Sequence, residues 1–307
     1  MSESVRNDLP RLDREKLDYS ICVQFLLMHL ACLLVVWTGV SVFAVVICLS
    51  LYVVRMFAIT AGFHRLFAHR TYRTGRLFQF LMAFVGTASY QKGPLWWSAH
   101  HRSHHLHTDT ERDLHSPITR TLWHSHVGWF LTRESQVTDR KLIPNLLKYA
   151  DLRFLDRYYS LPPLLLAVSM FLLGAALERY APSFGTSGWQ MLIWGFFVST
   201  VLLYHGTFTV NSLAHIFGSR RFATDDNSRN NLFVALITLG EGWHNNHHHY
   251  PSSERQGFYW WEIDVSHYTL RALSWLGIVW DLRTPPSDLT PTRRGATPDN
   301  SFEPTAG

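Results

Sequence analysis

Cysteine is nearly absent: the 307 residues contain only 3, Cys22, Cys32 and Cys48, and no two form a CxxC pair. That excludes a disulfide framework and a thiolate metal cluster, and each cysteine reads as a small apolar residue in a helix. The sequence also has no nucleotide-binding glycine fingerprint and no HExxH motif. Charge is scarce too, at 17% of residues, and its absence is localised. No Asp, Glu, Lys or Arg occurs from Tyr19 to Val54, from Tyr158 to Leu177, or from Tyr180 to Ser219.

The first of these runs is too long for one membrane crossing, which needs only about 20 apolar residues, and such lengths favour membrane spans over the alternative of four buried helices in a soluble domain. The first run fits two helices, near 21–37 and 41–62, with Trp37 to Ser41 as a tight turn. The second pair lies near 158–177 and 189–210, with Glu178 and Arg179 in its connection. An all-α integral membrane fold of two helical hairpins follows. Residues 63–153 and the segment after Asn211 are rich in Arg and Lys, which by the positive-inside tendency places both polar segments and both termini in the cytoplasm. Residues 1–20 are charged without a cleavable signal, and residues 284–307, rich in Pro, Thr and Ser, should be a disordered tail. The net charge of +5 then needs no nucleic acid to explain it. Leu77 to Tyr90 reads as a short buried or membrane-surface helix, and Phe258 to Leu282, with its tryptophans among charges, as a helix at the lipid headgroups.

Histidine is the excess, at 18 residues. His101, His104 and His105 stand at i, i+3 and i+4, and His244, His247 and His248 repeat the spacing. On a helix each triple puts three imidazoles on one face, close enough to share a metal site. His100, His107 and His249 point away from those faces. His64 and His69 are five apart, about 140° around an ideal helix. Either the helix is irregular there or each binds a different metal. All-imidazole donors suit iron, zinc, copper or nickel, and eight are too many for one ion, so two metals are implied. Zinc hydrolysis would need a positioned carboxylate base, which no HExxH supplies.

The segments Ile59-Thr60-Ala61-Gly62, His64 to His69, His69-Arg70-Thr71-Tyr72, His101 to His105, Ser125-His126-Val127-Gly128-Trp129, Asn211 to His215 and Gly240-Glu241 before His244 to His248 resemble the membrane fatty acyl desaturases, the stearoyl-CoA delta-9 family in particular. The resemblance implies four spans under a cytoplasmic helical cap that holds a di-iron site, with dioxygen as co-substrate and a bent acyl tunnel. Carried over, it makes His64, His69, His101, His104, His105, His215, His244, His247 and His248 the iron ligands. Asn211 would reach the centre through a water, and Gln91, Trp97, Thr207 and Phe208 would wall the tunnel. Asn211 and His215 are four apart and share a helical face, which supports that pairing from spacing. The resemblance implies a fatty acyl-CoA substrate. Two departures, Ala99-His100 for Arg-Asp and Arg133-Glu134 for Arg-Lys, weaken a coenzyme A phosphate site and bring an acyl lipid into view. A hydroxylase of the same superfamily and a metal or proton transporter are the competing readings, the latter opposed by histidine triples lying outside the spans. Desaturation takes two electrons from outside, so a ferredoxin or small cytochrome with its reductase is the expected partner.

Overall fold

The computed structural model describes residues 16–286. The expectations for the N-terminal segment and for the tail therefore fall largely outside the described residues. Among the described residues four helices are long and apolar enough to cross a membrane: α1 (Tyr19–Thr38), α2 (Val42–Ala68), and, after a cap segment that includes the helices α3 (Arg76–Thr87), α4 (Pro94–His107) and α5 (Leu122–His126), the spans α6 (Leu161–Tyr180) and α7 (Gly188–His215). Two further cap helices, α8 (His244–His249) and α9 (Val265–Trp275), complete the elements that matter for function. Among the described residues strand is confined to one antiparallel pair, β1 (Arg73–Thr74) with β2 (Val279–Trp280).

Each hairpin closes for a local reason. Between α1 and α2 the chain reverses at Gly39, whose φ of +67° suits a residue without Cβ, and Ser41 then caps α2 by accepting from Ala44 N–H. Both α2 and α7 run further than hydropathy indicated, to Ala68 and His215 rather than to 62 and 210. The extensions carry histidines and enter the cap, where protein rather than lipid surrounds them, so apolarity does not mark their ends. The third span starts at Leu161 rather than 158, behind Pro162 and Pro163, which suit a first helical turn.

Span α7 is the hub, packing against the other three. Of its most apolar window 56% is buried, against 6% for α1, whose side chains mostly face outward. Buried Arg55 ties α2 to α7 without a carboxylate: its guanidinium donates to Ser199 Oγ (2.6 Å), Thr200 Oγ1 (2.8 Å) and Ala88 O (3.2 Å). This satisfies a cation that would be costly in lipid. The main apolar cluster joins Ile59 and Phe63 of α2 to Leu95, Leu152 and Leu270 from three other helices.

The segment Phe258 to Leu282 is not one helix. Glu262 Oε2 accepts from Phe258 N–H and Tyr259 N–H, and Asp264 Oδ2 accepts from Gln256 N–H, which holds the first part in turns. Helix begins only at Val265, where Asp264 Oδ1 caps His267 N–H. These local side-chain bonds compete successfully with helix. Leu77 to Tyr90 does hold a short helix, α3.

Candidate metal centre

Four elements bring histidines to one place. The last eleven residues of α2, Ala58–Ala68, form a π-helix, with wider turns than an α-helix. His69 N–H donates to His64 O at 3.0 Å, so the two residues sit one such turn apart. The irregular-helix alternative therefore holds, and both imidazoles face the same cluster. Helix α4 supplies His101, His104 and His105, the end of α7 supplies His215, and α8 supplies His244, His247 and His248.

Candidate ligand atoms fall into two groups, each within 4.8 Å of one another: His64, His69, His101, His105 and His247 in one, His104, His215, His244 and His248 in the other. The triples do not each share a site, as the i, i+3, i+4 spacing suggested. Each triple is split between the two groups. His101 and His105 on α4 face the first group while His104 faces the second, and on α8 His247 faces the first while His244 and His248 face the second. The groups adjoin, with the His105 and His248 rings stacked at 4.5 Å.

Carboxylates set which nitrogen of several rings points inward. His104 Nδ1–H donates to Asp113 Oδ2 (3.0 Å), His215 Nδ1–H to Asp109 Oδ2 (3.2 Å), and His248 Nδ1–H to Asp226 Oδ2 (2.7 Å). His64 Nδ1 lies 2.5 Å from Glu241 Oε2. In each the Nε2 lone pair is left for a metal, the arrangement by which outer carboxylates orient metal-binding histidines. Gly240, at φ +126°, precedes Glu241, and a Cβ there would strike Asp264 Oδ1 at 2.3 Å. Asp113 also lies 3.5 Å from His115 Nδ1, which gives a smaller group of His104, Asp113 and His115.

Inward-facing nitrogens crowd together: His64 and His247 Nε2 are 3.1 Å apart, His69 and His101 2.7 Å, His105 and His247 2.9 Å, His215 and His244 3.0 Å. Lone pairs so placed repel unless a proton or cation lies between them. Spacings near 3 Å are also those between neighbouring donors around one ion with metal–nitrogen bonds of about 2.1 Å. His248, whose Nδ1 is held by Asp226, leaves its inward Nε2 buried with no hydrogen-bond partner among the described residues. The donor set fits a pair of transition-metal ions.

Protonation agrees with that fit. Burial, reinforced by neighbouring imidazoles, holds His69, His101, His105, His244 and His247 well below the ordinary histidine range, hence neutral and able to donate a lone pair. Burial pushes His248 down to about 4 against the pull of Asp226. At His104 burial also acts downward, but Asp113, Asp109 and Asp226 outweigh it and raise the group. Asp109 is buried, yet its bond to His215 brings it down to about 2.

A cavity reaches the first group, where His101 and Asn211 form part of its wall. Gln91, Trp97, Thr207 and Phe208 all line it. Gln91 Nε2 donates to Thr207 Oγ1 at 3.1 Å, and Trp97 stacks on His101 at 5.0 Å. Two other wall atoms, Trp129 Nε1 and Gln136 Oε1, are buried without a partner among the described residues. The three histidines set aside by spacing do lie off both groups. His100 stacks on Trp96 at 4.3 Å, His249 on Phe222 at 4.2 Å, and His107 Nδ1–H donates to Ser103 O. Asp109, Asp113, His115 and Asp226 escaped the sequence reading. Asp109 and Asp113 follow the first triple closely enough to be sought there, whereas Asp226 arrives on a loop with no signal.

Comparison with known proteins agrees with this architecture. Residues 21–279 match the family model for fatty acid desaturase. An icosanoyl-CoA 5-desaturase of Limnanthes douglasii is 36% identical over 231 residues, 74% of this chain and 61% of the relative, so the chain spans only part of that protein's length. A chloroplastic palmitoyl-monogalactosyldiacylglycerol delta-7 desaturase of Arabidopsis thaliana is 35% identical over 88% of this chain and 70% of its own. An sn-1 stearoyl-lipid 9-desaturase of Anabaena variabilis is 34% identical over 73% of this chain and 78% of its own. The similar proteins thus include both acyl-CoA and acyl-lipid desaturases, and the chain belongs to the fatty acid desaturase family.

Proposed function

We propose that this protein introduces a cis double bond, at the delta-9 position, into a saturated fatty acyl-CoA, using two irons held by the nine histidines and dioxygen. The observation that carries the reading is the meeting of a largely apolar cavity with two adjoining imidazole groups of five and four. Irons bound there would supply the oxidising power that an unactivated methylene requires.

The chain's own residues do the rest. Neutral imidazoles leave the metals' charge unbalanced by ligand charge, while Asp109, Asp113, Asp226 and Glu241 hold four rings in orientation from outside. Trp97 and Phe208 form apolar wall, and the Gln91 to Thr207 hydrogen bond pins α7 to the turn before α4, so the acyl chain meets a fixed surface beside the metals. Asn211, on the cavity wall and one turn before His215, would hold a water toward the metals. Per turnover dioxygen takes four electrons and four protons to give two waters. The substrate supplies two of each as two hydrogens, and two electrons and two protons come from a separate carrier and solvent. An acidic ferredoxin or small cytochrome suits the basic cap, which together with the positive-inside tendency supports a cytoplasmic active site.

An acyl-lipid substrate is the second reading. His100, standing where coenzyme A-using animal members have an acidic residue, is stacked on Trp96 in the cavity wall, and several similar proteins are acyl-lipid desaturases. Expression in a desaturase-deficient host, followed by analysis of double-bond position in each lipid class and in the acyl-CoA pool, tests both readings. New monounsaturated acyl chains are expected. Their absence from every pool, with the protein present in the membrane, contradicts desaturation.

A further inference from the structure

The cavity has one cationic group in its wall that the proposed chemistry does not use. Lys92 belongs to the short turn before α4, where Tyr90 and Lys92 both have positive φ, +58° and +66°. For residues with a Cβ this conformation is uncommon and persists only where the surroundings hold it. Its result is that Tyr90, Gln91 and Lys92, three successive residues, all line the cavity.

The Lys92 ammonium has no carboxylate within ion-pair range among the described residues. Its partner is Tyr159, with Nζ 3.2 Å from the hydroxyl and 4.5 Å from the ring centroid. Asp156 is occupied elsewhere, its Oδ1 accepting from Leu95 N–H and Trp96 N–H. Burial lowers the lysine's pKa, and Asp18 and Asp156 oppose this only at longer range. An ammonium kept in a mostly apolar wall with one neutral oxygen partner retains donor capacity. A saturated acyl chain has a single polar end, its ester or thioester carbonyl, whose oxygen accepts hydrogen bonds.

We propose that Lys92 is the positioning residue for the substrate's carbonyl end, its Nζ–H donating to the acyl carbonyl oxygen and thereby fixing which methylene lies beside the metals. The inference rests on the desaturase reading. It holds equally for a thioester and a glycerol ester, since both present the same oxygen. The anchor sits on the turn that leads into α4, and α4 carries His101 of the first group: from Pro94 to His101 its backbone rises about 10 Å, a distance filled by several methylenes. Anchoring at this end makes the double bond count from the carbonyl rather than from the methyl terminus. Gly93, between Lys92 and α4, lies so close to Asp156 that a Cβ would meet its Cα at 2.4 Å, which leaves the turn little freedom to shift.

The test uses the full chain expressed in a desaturase-deficient host fed palmitic or stearic acid, with iron content measured on the purified protein. Wild type should place the double bond at one position counted from the carbonyl in both chain lengths. Lys92→Met should keep the wild-type iron content, make at least tenfold less product at limiting substrate, and spread the double bond over neighbouring positions. Lys92→Arg, which restores a cation, should recover most of the register. A Lys92→Met protein with wild-type yield and a single isomer overturns the anchor, as does a wild-type product whose position is constant from the methyl end. Loss of iron in Lys92→Met also overturns it, by assigning the residue to support of the fold. Absence of any product from wild type instead sinks the desaturase reading.

Discussion

At Asp226 a single carboxylate decides what His248 can do. It accepts Nδ1–H at 2.7 Å and leaves Nε2 buried, without a partner among the described residues and turned to the second group. Asp226→Asn should therefore lower iron affinity by about 10–100-fold without removing a ligand, as read by competition with a chelator. Unchanged affinity would mean that the carboxylate does not orient the ring. His104→Ala and His247→Ala should abolish activity while the protein still reaches the membrane, whereas His107→Ala and His249→Ala should keep most of it. Equal loss in all four would contradict the assignment of faces. Six of the nine imidazoles, the two triples, were legible in the sequence because helical spacing repeats, whereas His64 and His69 looked mismatched and His215 came from the family resemblance alone. The partition of the triples was not legible, since i, i+3 and i+4 specify a shared face but not how two metals divide it. Asp226 was invisible because its partner lies 22 residues away and only the folded loop joins them.

Among the elements, the π-helical end of α2 explains most of what spacing alone left open. Residues 64 and 69 looked mismatched on an ideal helix, and hydropathy cannot distinguish wide turns from ordinary ones. In the fold the same segment also buries Arg65, which donates to Asp264 Oδ1 (2.9 Å), Glu241 Oε1 (3.2 Å) and Glu254 Oε1 (3.4 Å). This knot joins α2 to the segments around α8 and α9 directly behind His64. Arg65→Met would leave three buried carboxylates without their cation, at a cost of about 3–5 kcal/mol. The thermal midpoint in detergent should drop sharply, and a variant as stable as wild type would show that the knot is not a structural tie. The hairpins, by contrast, were readable, since charge-free runs and a glycine turn state them directly. The helix boundaries at Ala68 and His215 were not, because protein takes over from lipid there.

At the scale of the whole molecule, acid should act on the metal-free protein through its buried imidazoles. The His248 pKa is depressed from 6.5 to about 4, so the unfolded chain takes up the proton first. The neutral ring's contribution is full above 6.5 and is lost as pH falls toward 4. Asp109, held at about 2, adds to the loss only below its ordinary 3.8. The unfolding midpoint of iron-free protein should thus fall between pH 7 and pH 5, and a flat profile would contradict the burial described. Turnover with an acidic carrier should slow as salt rises, if charge on the cap steers docking. The most direct test of the account is the metal content of purified protein. Two irons per chain with no acid-labile sulfide are expected from two all-imidazole groups, and a single tightly held zinc would contradict them.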